Sequence, residues 1–220
     1  MVAVLDLTTI DVADMDLREG SLLVLHDVSW ERYEAIVAAF GERHDCRAVY
    51  LDGVLAIMAP MPAHERPHLI IGYIVTVLLD AMEIDWEDFG ATTLRKPAKR
   101  AGLEPDKCFY IGENAAKVRA CMEQMDLNDY PPPDLAIESD VTSLTTFEVY
   151  LRLMVPEVWV YRQGEFRIHL LQDGEYVESV QSLLFPSFPV GTMMLPLIAQ
   201  ALQEGTSKML RDLRMSLVRG

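Results

Sequence analysis

Between Trp30 and Phe40 the apolar residues Tyr33, Ile36, Val37 and Phe40 recur at helical spacing, with Ser29 as N-cap and Gly41 as stop, and predict a helix. From Arg47 the period changes to two. Arg47–Asp52 and Val54–Ala59 predict two strands joined at Asp52-Gly53, a strong hairpin signal, and Leu22–Leu25 predicts a short strand before them. Pro60-Met61-Pro62 closes the hairpin. His64-Glu65 then opens a long helix to about Met82, with Pro67 tolerated in its first turn. That helix is apolar on nearly all sides, so it needs cover from the sheet and from a second element or a partner subunit.

Ala91–Leu94 predicts a strand, followed by the basic loop Arg95–Arg100. Glu104–Ile111 predicts another strand, with Glu104 and Asp106 on one face, and Ala115 to about Met125 an exposed helix. Pro131-Pro132-Pro133 stops the chain before an apolar run in which Leu135 and Ile137 take one face and Asp134, Ala136, Glu138 and Asp140 the other. Acids on such a strand are costly to bury unless something positive sits among them, and a hard divalent cation is the usual answer. A strand whose acidic face is simply wet is the alternative. A helix over Ser143–Leu153 follows, then strands at Glu157–Tyr161, Phe166–Leu171 and Tyr176–Val180 separated by Gln163-Gly164 and Asp173-Gly174 turns. The C-terminal part, Leu195–Val218, reads as helix broken at Gly205. This order predicts an α/β fold: a central mixed β-sheet flanked by helices, with an N-terminal helix-hairpin and C-terminal helices. One domain is expected over 1–220, with 1–20 an irregular lead and 191–220 a helical extension.

Composition narrows the function classes. At 220 residues and 50% hydrophobic content the chain can bury a full core. Cys46, Cys108 and Cys121 are odd in number and widely spaced, which predicts reduced thiols rather than a disulfide framework or zinc ribbon. The acidic N-terminus lacks the features of a secretory signal, and the longest apolar run, Leu69–Leu79, is far short of the ~20 residues of a membrane span. A soluble, cytoplasmic protein is the expectation. A net charge of -15 weighs against tight non-specific binding to nucleic acid, although a local basic patch can still form a groove; the one basic cluster of note, Arg95–Arg100, reads first as a solvated loop. The motifs of nucleotide-loop NTPases, serine hydrolases and zincins are absent.

Two proline-acid pairs remain, Pro105-Asp106 and Pro133-Asp134. If their strands are neighbours, Asp106 and Glu138 can reach a common Mg²⁺. The strings YLDGVLAIMAPMPAHE (Tyr50–Glu65), GATTLRKPAKRAGLEPDKCFYI (Gly90–Ile111), PPPDLAIESDVTS (Pro131–Ser143) and YLRLMVPEVWVY (Tyr150–Tyr161) occur in an order that resembles the Uma family of prokaryotic candidate endonucleases, formerly a domain of unknown function. The resemblance implies a restriction-endonuclease-like fold of the PD-(D/E)-x-K superfamily, in which Asp106 takes the aspartate role and Glu138 the glutamate role at a Mg²⁺ site, with Mn²⁺ as a substitute. Asp52 and His64 fall on recurrent family positions near that site, and Asp134 is a lesser metal candidate.

One departure stands out. Asp140 occupies the superfamily's lysine position, and Thr146 the place on the next helix where family members carry that lysine, four residues before Tyr150. Threonine can hydrogen-bond a water or phosphate but supplies no charge. Lys107 and Arg152 are the nearest cations in sequence, and Lys107 should point away from Asp106 on a regular strand. The expectations are therefore a Mg²⁺-dependent endonuclease acting on DNA or, from a different class, a catalytically silent nuclease fold serving as a binding or assembly module. A homo-oligomer, most simply a dimer, is expected from the apolar helix faces.

Overall fold

The computed structural model describes residues 17–40, 46–59, 62–121, 125–139 and 144–218. Most of the lead, Gly41, Pro60, Met61 and Asp140 lie outside the described residues, as does the side chain of His64. The elements in order are β1 (Leu22–Leu25), α1 (Trp30–Phe40), β2 (Arg47–Leu51), β3 (Val54–Met58), α2 (Pro62–Ala81), β4 (Trp86–Gly90), β5 (Leu94–Lys96), a 3-10 turn (Pro97–Lys99), β6 (Ala101–Leu103), β7 (Lys107–Ile111), α3 (Glu113–Val118), β8 (Met125–Asp126), β9 (Leu135–Ser139), α4 (Leu144–Leu153), β10 (Glu157–Arg162), β11 (Glu165–Gln172), β12 (Glu175–Ser179), α5 (Val190–Glu204) and α6 (Thr206–Val218).

The strands form two mixed six-stranded sheets, ordered β1-β3-β2-β6-β5-β8 and β12-β11-β10-β9-β7-β4. Parallel pairing occurs in each, between β5 and β8 in the first and between β9 and β10 in the second. Helix α1 covers one face of the first sheet, burying Tyr33, Ile36, Val37 and Phe40 against Tyr50, Leu55 and Ile57. Between the sheets lies α4, whose Val149, Tyr150 and Leu153 pack with Leu51 and Leu103 of one sheet and Ala136, Val158 and Val160 of the other. The far face of the second sheet, with Leu135, Ile137 and Trp159, is covered by α2, α5 and α6. The all-round apolar α2 thus finds much of its cover within its own chain, while Leu69 and Tyr73 remain exposed. No described helix is long and apolar enough to cross a membrane.

The alternation expected around Glu138 is present: Leu135 and Ile137 join the α2 side and Ala136 the α4 side. Several elements differ from expectation, among them the strand expected over Ala91–Leu94, which is β5 at Leu94–Lys96, inside the stretch expected as a loop. The strand expected over Glu104–Ile111 is shorter, β7 at Lys107–Ile111, because the chain crosses from β6 in one sheet to β7 in the other at 104–106, where Pro105 has no N–H for a ladder. The stretch at Trp86 is an edge strand, β4, with Trp86 against Phe109 on one face and Phe89 against Tyr110 on the other; Glu87, Asp88 and the irregularity before Gly90 leave no apolar alternation to read, and an edge tolerates them. The helix expected from Ala115 to Met125 ends at Val118, and Met125 instead pairs as β8 beside Leu94, fully buried. Tertiary pairing overrides local helix propensity there.

Candidate active site

The sheet crossing builds the site. β7 and β9 run antiparallel with Lys107 opposite Ile137, and Asp106, just before β7, lies beside the Glu138-Ser139 end of β9. Asp106 is fixed by the N–H of Ser139, which donates to its Oδ2 at 2.6 Å. Glu138 lies on the α4 side of an interior strand, flanked by β7 and β10, and is only 9% exposed. The Tyr150 hydroxyl, from α4, donates to Glu138 Oε1. Burial first, and the Asp106 carboxylate second, push the Glu138 carboxyl up to about 8, against the pull of the Tyr150 hydrogen bond and the Arg47 charge.

Arg47 was not among the residues expected here. It begins β2 in phase with Val49 and Leu51, on the face turned toward α4 and the second sheet, and its Nε stands 3.6 Å from Asp106 Oδ1. Its side chain is 10% exposed and that of Asp106 13%. A charged residue leading an apolar strand was a signal, but a weak one, because the same pattern marks an ordinary strand end. Tyr150 was legible only as a motif position, and its bond to Glu138 depends on the α4 packing.

The other expected residues divide. Thr146 is buried one helical turn before Tyr150, on the same side of α4. Asp52 sits at the β2–β3 turn with φ 45°, and its Oδ2 accepts from Arg152 at 2.8 Å, at the end of β2 opposite Arg47. Asp134 begins the approach to β9, four residues and about 13 Å of strand from Glu138. Its carboxylate accepts from the Ile111 N–H at 2.7 Å and the Asn114 amide at 2.8 Å. It therefore clamps the β7–α3 turn rather than joining the other two acids. Asp134→Ala is expected to cost about 1–3 kcal/mol in urea unfolding, since it strands the Ile111 N–H; no loss would refute the clamp. Glu104 accepts from Thr93 Oγ1 at 2.8 Å. Lys107 points away as expected, its Nζ 2.7 Å from Asp88 and its stem crossing α2 at Gly72, where a Cβ would lie 2.4 Å from Lys107 Cε.

Two neighbouring carboxylates, a phenol and a guanidinium can hold a cation, orient it and move a proton. Among the described residues no group of three or more His, Cys, Asp or Glu is placed to hold a metal.

A search of curated proteins finds no match. Among solved structures, a crystal structure from Anabaena variabilis described as a putative nuclease belonging to DUF820 is similar at a TM-score of 0.44 and 16% identity, over 64% of this chain and 83% of that one. The family model described as "Putative restriction endonuclease" matches residues 30–202, the greater part of the chain, and on that extent the chain belongs to the Uma2 family.

Proposed function

We propose that this protein is a Mg²⁺-dependent endonuclease acting on DNA, with Asp106 and Glu138 as the residues that hold the ion. The observation that supports this reading is that Asp106, held by the Ser139 N–H, lies close enough to the buried Glu138 that burial first and the Asp106 charge second raise the Glu138 carboxyl. Restriction-endonuclease-like families generally depend on a divalent metal, and the residues present fit one. A pair of hard oxygen donors suits Mg²⁺, which takes one or two carboxylates and keeps its waters. When bound, such an ion lowers the pKa of a coordinated water and neutralises charge on a phosphoryl oxygen.

The chain's own residues supply the rest. Ser139 N–H fixes one oxygen of Asp106, and Tyr150 fixes Glu138, so both acids are oriented before any substrate arrives. Tyr150→Phe is expected to weaken Mg²⁺ or Mn²⁺ binding by about tenfold or more, the usual effect of losing a hydrogen bond behind a ligand, with the fold retained. Calorimetric titration reads this, and unchanged affinity would exclude an orienting role for Tyr150. For the nucleic-acid partner, the support is local: Lys96, Lys99 and Arg100 surround the β5–β6 turn, and Arg152 of α4 reaches the Lys99 carbonyl at 3.5 Å. These cations lie on a chain that is otherwise strongly acidic.

The test is conversion of supercoiled plasmid, and of single-stranded DNA, to cut products in Mg²⁺ or Mn²⁺ and its loss in EDTA. The second reading, a catalytically silent binding or assembly module, is favoured by Thr146 where family members carry a lysine. It predicts no cleavage in any metal by a folded protein.

A further inference from the structure

We propose that Arg47 is the resident counter-ion of the Asp106–Glu138 pair, holding the two carboxylates together without a metal and competing with an incoming cation for Asp106. The second half rests on the metal-site reading above; the first does not. Arg47 belongs to the first sheet and Asp106 stands at the entry to the second, so their contact ties the sheets at the point where the chain crosses.

The geometry is that of an ion pair held by charge rather than of a closed fork. Asp106 Oδ2 is taken by the Ser139 N–H, and Oδ1 is the oxygen left facing the guanidinium. A tight charge-assisted hydrogen bond would close to about 2.7–2.9 Å. Arg47 Nε stops at 3.6 Å, and although buried it has no hydrogen-bond partner. A buried donor left unsatisfied beside two carboxylates is a costly arrangement unless its charge is what the site needs. The two cations nearest in sequence to the acids and helix α4 are engaged elsewhere, Lys107 with Asp88 and Arg152 with Asp52. Arg47 is thus placed to supply the positive charge that Thr146 does not, from the opposite sheet rather than from the following helix.

A counter-ion and a divalent cation on the same carboxylate oppose each other, so removing Arg47 has two effects of opposite sign. Without metal, Arg47→Gln removes the guanidinium charge from beside Asp106, and the melting temperature is expected to fall by several degrees, with Arg47→Lys falling less. With metal, Arg47→Gln removes one positive charge from beside the site, and Mg²⁺ or Mn²⁺ affinity measured by calorimetry is expected to rise by about tenfold. A purely structural arginine would lower stability without tightening the metal. The stability arm is closed by Asp106→Asn, in whose background Arg47→Gln should cost little; this comparison stands even if the single variant fails to fold. An equal cost in both backgrounds overturns the counter-ion, and unchanged or weaker metal affinity in a folded Arg47→Gln overturns the competition. A wild-type chain that takes up no metal would overturn the competition and the metal-site reading together, while the metal-free comparison would still decide the ion pair.

Discussion

Asp106→Asn and Glu138→Gln are each expected to reduce metal-dependent cleavage by about a thousandfold or more. An ion at such a centre contributes several kcal/mol of transition-state stabilisation, and each 1.36 kcal/mol is a factor of ten in rate. Both substitutions keep shape and remove charge. Asn can still accept from the Ser139 N–H that Asp106 Oδ2 accepts, and Gln can still accept from the Tyr150 hydroxyl, so the fold should survive. Because the two acids act through one ion, the double variant should be little worse than either single. Plasmid conversion under single-turnover conditions reads this. Cleavage that persists in both singles would remove the chemistry from this pair.

In metal-free buffer the same Glu138→Gln change should raise stability. Burial and the neighbouring Asp106 lift the Glu138 carboxyl from its ordinary 4.5 to about 8 in the folded chain. The folded state therefore binds more protons than the unfolded state across that interval. The stabilisation this gives is fully present below about pH 4.5 and is lost as pH rises through about 8. Gln does not titrate, so the variant should melt above wild type at pH 8–9 in EDTA, by at least several degrees given about 2–4 °C per kcal/mol for a chain of this size, and the gap should close toward pH 5. Added Mg²⁺ should raise the melting temperature of wild type and leave the variant unmoved, because only the charged site gains a ligand on folding. A variant less stable than wild type at pH 8–9 would mean that Glu138 ionises without strain.

The site was legible in part because two of its signals are local. Pro105-Asp106 and the alternation around Glu138 can be read from adjacent residues, and the pairing of β7 with β9 brings Asp106 to the Glu138-Ser139 end of β9. Asp134 shares the parity of Glu138 and was drawn in for that reason, yet strand rise carries it about 13 Å away to the β7–α3 turn. Glu104 shares the parity of Asp106, but the crossing at Pro105 ends the regular strand between them. Periodicity says which face a residue takes and not where a strand leaves its sheet. Arg47 left only a weak signal for the same reason: it meets Asp106 across fifty-nine residues, through a contact between two sheets. The helices α1, α2 and α4 were readable from spacing and caps, whereas β8 exists only because β5 is beside it.

The most direct test of the central claim, that Asp106 and Glu138 form a divalent-cation centre, is a calorimetric titration of Mg²⁺ or Mn²⁺ into the wild-type chain and into the Asp106→Asn, Glu138→Gln double variant. Saturable binding by the wild type that is lost in the folded double variant is the predicted result. Equal binding by both chains, or none by the wild type, would contradict it.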